Sequence, residues 1–178
     1  TLRIIDVGCS VGVSTHYLAN AFPNASSIIG FDLSPHFLSV AMKRQKDASN
    51  INYDKIEWCH GNAENPPQEW TAATGQFDLT AASFLFHELP TEPTKNILRK
   101  MISITRSGGV IAITDNDPRS EVIMNLPAPI FTLMKSTEPH SDDYYQFGLE
   151  MALVDLGCFD VRTVPTDPRH RTILARVP

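Results

Sequence analysis

The chain has 178 residues, 42% of them hydrophobic and 20% charged, which suits one domain with a real core and excludes a disordered segment. Its formal net charge of -5 argues against a nucleic-acid partner, because gripping a phosphate backbone takes clustered Lys and Arg. The densest basic run, Lys43-Arg44-Gln45-Lys46, reads as the wet face of a helix. Cys9, Cys59 and Cys158 lie far apart with no C-x-x-C pair, so no disulfide framework is expected, and the cytoplasm or another reducing compartment is the plain reading. No apolar run approaches the length of a membrane span. The chain opens at Thr1, immediately on a strand, and the expectation is that upstream residues have been removed and that any organellar signal went with them.

Short apolar runs alternate with helix-like stretches along one undivided domain, 1–178, the rhythm of an α/β fold with a mostly parallel sheet. Leu2 to Val7 is the first strand. Val13, Tyr17, Leu18, Ala21 and Phe22 recur at helical spacing, and Pro23-Asn24 stops that helix. Ser27 to Phe31 is the second strand. Ser34 then caps a helix that has Pro35 at its first position and Phe37, Leu38, Ala41 and Met42 among its apolar positions. Lys55 to Cys59 and Phe77 to Ser83 are the third and fourth strands. A helix runs from about Thr91 to Thr105 with Ile97, Leu98, Met101 and Ile102 inward. Ser107-Gly108-Gly109 turns it into a fifth strand, Val110 to Thr114. Pro118 to Pro139 is apolar and Pro-rich without clean periodicity. Ser141 is expected to cap a single helix reaching about Leu156, which Gly157 ends. Phe159 to Val164 and Thr172 to Val177 follow, and their short connection predicts an antiparallel pair at the end of the sheet.

Three loops after strands carry the chemistry. The first, Asp6-x-Gly8-x-x-x-Gly12, lets backbone approach a ligand and turn into a helix. Ser10 and Val13 break the G-x-G-x-x-G spacing that seats a dinucleotide pyrophosphate. The second, Gly30-Phe31-Asp32-Leu33-Ser34, ends a strand with an acid placed to accept two ribose hydroxyls, with Leu33 beside it for a base to lie on. In the third, Cys59-His60-Gly61-Asn62-Ala63-Glu64, Asn62 offers a carbonyl to an amino group and Ala63 a backbone N–H. For Asp32 a helix cap, and for Asn62 an ordinary turn, are the alternatives that the residues alone leave open.

Taken in order, Asp6-Val7-Gly8-Cys9-Ser10-Val11-Gly12, Gly30 to Ser34, Gly61-Asn62-Ala63-Glu64, Phe77-Asp78-Leu79 and Ser107-Gly108-Gly109 resemble the successive motifs of class I S-adenosylmethionine-dependent methyltransferases. The resemblance spans nearly the whole chain. It implies a Rossmann-like seven-stranded sheet, mostly parallel, with a C-terminal antiparallel hairpin and helices on both faces. It also implies S-adenosyl-L-methionine as cofactor and S-adenosyl-L-homocysteine as product, held by Asp6, Gly8, Cys9, Ser10, Gly12, Asp32, Leu33, Asn62, Ala63 and Ser83. The sequence departs from the family at Ser10, where Gly is frequent, at Asn62, where Asp is usual, and at Ser107, where Pro is common. The helices that usually precede the first strand and cover the cofactor are not in this sequence.

The resemblance puts Ser83-Phe84-Leu85-Phe86-His87-Glu88-Leu89-Pro90 beside the transferred methyl group. His87 is the leading general-base candidate and Glu88 the next, against a purely structural role for either. No N-P-P-Y or Pro-Cys follows the fourth strand, which argues against methylation of nucleic-acid amino groups or of cytosine C5. The histidines show no metal-ligand spacing, and Asp115 and Asp117 read as turn acids beside Pro118. Residues 118–145 are the candidate substrate wall or lid, or else a homodimer surface. The expected function is methyl transfer to a small organic acceptor. A non-catalytic binding module of the same fold and a nicotinamide-dependent oxidoreductase are the competing readings.

Overall fold

The computed structural model describes residues 1–48, 50–71 and 76–178. The strands are β1 (Leu2–Val7), β2 (Ala25–Asp32), β3 (Ile56–His60), β4 (Phe77–Ser83), β5 (Thr105–Asn116), β6 (Phe159–Pro165) and β7 (His170–Arg176). Eight α-helices alternate with them among the described residues: α1 (Val13–Ala21), α2 (Pro35–Asp47), α3 (Gln68–Thr71), α4 (Thr91–Ile104), α5 (Glu121–Met124), α6 (Ala128–Thr137), α7 (Ser141–Gln146) and α8 (Leu149–Asp155). The strands form one sheet in the order β3-β2-β1-β4-β5-β7-β6. The first five are parallel, and β7 pairs antiparallel with both β5 and β6. This is the expected seven-stranded architecture, with the hairpin folded so that its second strand reaches the sheet first.

Side chains alternate across the sheet with period two, so neighbouring residues serve opposite faces. Ile4 packs with Ala19, Ile28 and Ile56 on one face. Ile5 joins Phe31, Leu98, Met101, Ile111 and Leu153 in the larger cluster on the other. Both faces are covered, so consecutive residues are buried in the central strands, Ile4 with Ile5 in β1 and Ala81 with Ala82 in β4.

Several expectations need correction. The apolar stripe of α1 is divided: Val13 and Tyr17 are exposed, Tyr17 at 71%, while Leu18 and Phe22 pack partly buried against the Ile4 cluster and Thr15 and Ala19 are fully buried. Ser107-Gly108-Gly109 is no turn between helix and strand. β5 begins at Thr105, and Gly108, at φ +72°, lies where the pairing with β4 shifts register. The stretch from Pro118 to Pro139 holds two helices, of which α6 buries no residue. The single helix from Ser141 is two, because the chain extends at Phe147 before Gly148. His140, not Ser141, stands at the cap position, and the Ser141 hydroxyl is buried without a hydrogen-bond partner. The Gly157 terminator is present, at φ +90°.

Candidate active site

In an open parallel sheet the crevice lies at the carboxyl ends of the strands, where successive connections leave in opposite directions. Here β1 leads through α1 to β2 on one side, while β4 lies on its other side. The loops after β1 and β4 therefore meet. Gly8, at φ +70°, sits under Leu85, and a Cβ there would come within 2.8 Å of the leucine side chain. Gly12, at φ +79°, precedes α1 with Trp58 packed over it. Two non-glycine residues also hold positive φ at this end of the sheet, Ser10 at 50° and Phe84 at 57°. Such strain persists where surroundings enforce it, and it gathers at ligand sites.

A cavity of about 740 Å³ opens between these loops. Ser10, Asp32, Phe84, Glu88 and the α1 residues Val13 and Tyr17 are among those that line it. The volume suits a cofactor- or drug-sized ligand. Most of the lining is apolar, and its only carboxylates are Asp32 and Glu88, with no Lys, Arg or His among the described residues. A cationic ligand meets two carboxylates and no like charge there.

Asp32 does two jobs at the end of β2. Its Oδ2 accepts the Ser10 N–H at 2.7 Å and its Oδ1 accepts the Ser34 N–H at 2.8 Å. One lone pair on each oxygen remains for ligand hydroxyls. Ser34 caps α2 as expected, its hydroxyl accepting the Phe37 N–H at 3.3 Å. Leu33 is exposed beside it, with its carbonyl accepting the ring N–H of His60 at 2.9 Å.

Of the residues singled out in the sequence, Gly8, Cys9, Ser10, Asp32, Ser83 and Glu88 border the cavity, whereas Asp6, Gly12, Leu33, Asn62, Ala63 and His87 do not. Asp6 is fully buried beneath the first loop, where its Oδ2 accepts hydroxyls of Ser14 and Thr15, each at 2.6 Å. Its Oδ1 is buried without a partner. Burial pushes the carboxyl up to about 6, against the two hydroxyl bonds and with help from the charge of Asp32. Asn62 turns its side-chain oxygen back to accept the Glu64 N–H at 2.8 Å, the turn role left open above.

His87 sits on the short 3₁₀ turn Phe86–Glu88 and is 7% exposed. Its Nδ1 lies 2.7 Å from Oδ1 of Asp115, which is buried at 1%. Asp115 is thus no turn acid. Asp117 is one, accepting the Arg119 N–H at 3.0 Å. Burial works against the imidazolium, but the hydrogen bond and charge of Asp115, aided by Glu138 and Glu88, outweigh it and raise the His87 pKa above the ordinary histidine range. Local sequence could not have joined His87 to Asp115, because only the β4–β5 register, Ser83 opposite Thr114, brings them together.

The family model described as a methyltransferase domain matches residues 4–109. The chain belongs to that methyltransferase family. A demethylmenaquinone methyltransferase of Oceanobacillus iheyensis is 29% identical over 115 residues, covering 64% of this chain and 44% of its own length. A trans-aconitate 2-methyltransferase of Afipia carboxidovorans is 32% identical over 133 residues, covering 75% of this chain and 43% of its own. The methyltransferase domain described here therefore spans less than half the length of these two relatives. In fold it is similar to a SAM-dependent methyltransferase from Aquifex aeolicus, with a TM-score of 0.72 and 17% identity over 99% of this chain and 82% of that one. No helix among the described residues is long and apolar enough to cross a membrane, and no group of three His, Cys, Asp or Glu is placed to hold a metal ion.

Proposed function

We propose that this methyltransferase domain binds S-adenosyl-L-methionine in the cavity at the β1–β4 crevice and transfers its methyl group to a small organic acceptor, leaving S-adenosyl-L-homocysteine. The carrying observation is the cavity itself. It is mostly apolar, free of cationic side chains among the described residues, and edged by the Asp32 and Glu88 carboxylates beside two strained loops. The bound cofactor supplies an activated methyl on a sulfonium, so the protein's task is alignment and proton removal. Asp32 offers its open lone pairs to the ribose hydroxyls, Leu33 lies where a base can rest, and Asn62 and Ala63 stand on the next loop. Asp6, under the first loop, places negative charge below the sulfonium end. On the acceptor side Phe84 and Leu85 supply apolar surface and Glu88 the nearest carboxylate. The demethylmenaquinone and trans-aconitate relatives act on small organic molecules, and the apolar lining favours the neutral kind of acceptor over the polyanionic one. Segment 118–145 contributes through α7, which packs against the turn carrying His87 and Glu88.

Calorimetry with S-adenosyl-L-methionine and S-adenosyl-L-homocysteine tests the reading, followed by turnover with a naphthohydroquinone and with trans-aconitate. Binding of both nucleosides is expected, with methylation of the naphthohydroquinone in preference. Absence of binding, or tight binding of NADH instead, overturns it.

A further inference from the structure

His87 and Glu88 are consecutive yet face different surroundings. The Glu88 side chain is 70% exposed and borders the cavity, while His87 lies behind it. Asp115 reaches the same turn from β5 and is fixed there by three contacts. Its Oδ2 accepts the Phe86 N–H at 2.9 Å and the His87 N–H at 3.4 Å, and its Oδ1 meets the His87 ring at Nδ1. An ionised carboxylate only accepts, so Nδ1 carries the hydrogen and the free lone pair of a neutral His87 is on Nε2. That nitrogen lies 3.8 Å from Oε1 of Glu88. The gap exceeds a hydrogen bond, but a rotamer change of an exposed Glu side chain closes it. The other groups around His87 are Glu138 and Tyr144 of α7, with Tyr145 against the Tyr144 ring. Tyr144 is itself pinned, donating its hydroxyl to the Asn116 carbonyl. The cation paired across the sheet from Asp115 is Arg171, which is engaged by Glu150.

We propose that Glu88, His87 and Asp115 form a proton relay in which Glu88 meets the acceptor, His87 receives the proton behind it, and Asp115 is the positioning residue that orients the ring. The relay rests on the methyl-transfer reading. The acceptor's O–H or N–H gives its proton to the Glu88 carboxylate while the heteroatom's electron pair forms the bond to the methyl carbon. The electron pair of the broken carbon–sulfur bond stays on sulfur. Glu88 hands the proton to Nε2 of His87, the Asp115 carboxylate balances the imidazolium so formed, and the proton leaves to water. The roles are thereby reversed from those expected of the sequence: Glu88 is the catalytic residue, and His87 acts through it.

Nitrogen-labelled histidine makes this visible without any acceptor. The His87 ring is followed by two-dimensional NMR from about pH 5 to about pH 9 in the wild type, Asp115→Asn and Glu88→Gln. The neutral wild-type ring should carry its hydrogen on Nδ1, and its midpoint should fall by about one pH unit or more in Asp115→Asn. Glu88→Gln should lower the midpoint by a smaller amount. Since Asp115→Asn removes a buried partner and can fail to fold, the exposed Glu88→Gln variant is decisive by itself. An unmoved midpoint there, or an Nε2-protonated neutral ring in the wild type, overturns the relay. Calorimetry of the same samples with S-adenosyl-L-homocysteine separates the two readings. Normal binding with an uncoupled His87 sinks the relay alone, and no binding sinks methyl transfer and the relay with it.

Discussion

The carboxylate of Asp32 holds the backbone N–H of Ser10 at 2.7 Å, so the acid at the end of β2 also shapes the loop after β1. Two site elements are thereby tied by one side chain. Asp32→Ala should weaken S-adenosyl-L-methionine binding at least tenfold, which is about 1.4 kcal/mol. It should also cost about 1–3 kcal/mol of stability, because the N–H groups of Ser10 and Ser34 lose their acceptor. Calorimetry and urea unfolding measure the two effects. A variant that loses affinity but no stability would show that the loop does not depend on this tie.

Gly12 has little freedom to change. A Cβ there would lie 2.4 Å from the Trp58 ring, which is anchored through its N–H to the Gln45 side chain at 2.5 Å. The φ of +79° adds strain for any other residue. Gly12→Ala should destabilise by about 2 kcal/mol or more. A denaturation midpoint equal to that of the wild type would refute the clash.

Asp6 should leave a signature in acid. The folded carboxyl keeps its proton up to about 6, whereas in the unfolded chain it titrates near 3.8. Between those values the folded state binds more protons, so this group's contribution to stability is full below the lower value and lost as pH rises through the upper one. The loss is on the order of 3 kcal/mol at about 1.4 kcal/mol per unit. Asp6→Asn, which retains an acceptor for Ser14 and Thr15, should therefore gain on the wild type as pH rises from about 4 to about 7. Parallel melting curves over that range would contradict the buried, unpaired Oδ1.

Arg171 is buried on β7 and depends on Glu150 of α8. Glu150 also accepts the Thr163 hydroxyl at 3.1 Å and lies 3.7 Å from Arg119. Glu150→Ala should cost about 3 kcal/mol, because it strands a buried guanidinium. Urea unfolding checks this, and a loss below about 1 kcal/mol would mean that Arg171 finds water or Arg119's neighbours instead.

Much of the architecture is readable from the sequence, and the failures share a cause. The apolar residues of β1 and β4 mark these strands without tertiary help, and Gly8 ends the first. The helical period of Val13 and Tyr17 is equally plain, but a period reveals a stripe and not its partner. Thr15 and Ala19 are buried, Leu18 and Phe22 pack against the Ile4 cluster, and the exposed Val13 and Tyr17 line the cavity. Asp115 was hidden by its neighbours Asn116, Asp117 and Pro118, whose local preference is a turn. Its true partner is 28 residues away. The position of Asp32 at the cavity edge was legible because it stands at a strand end. Asn62 was ambiguous because an amide serves a turn and a ligand equally well.

The interior place of β7 has a bearing on how the chain acquires its fold. β5 presents an open row of amide and carbonyl groups along one edge until β7, the last strand in chain order, pairs with it from Val110 to Asn116. On a ribosome that row waits through the synthesis of α5 to α8 and β6 before it is covered. The nascent chain is thus open to edge-to-edge association between the synthesis of β5 and that of β7, after the loops that follow β1 and β4 already exist.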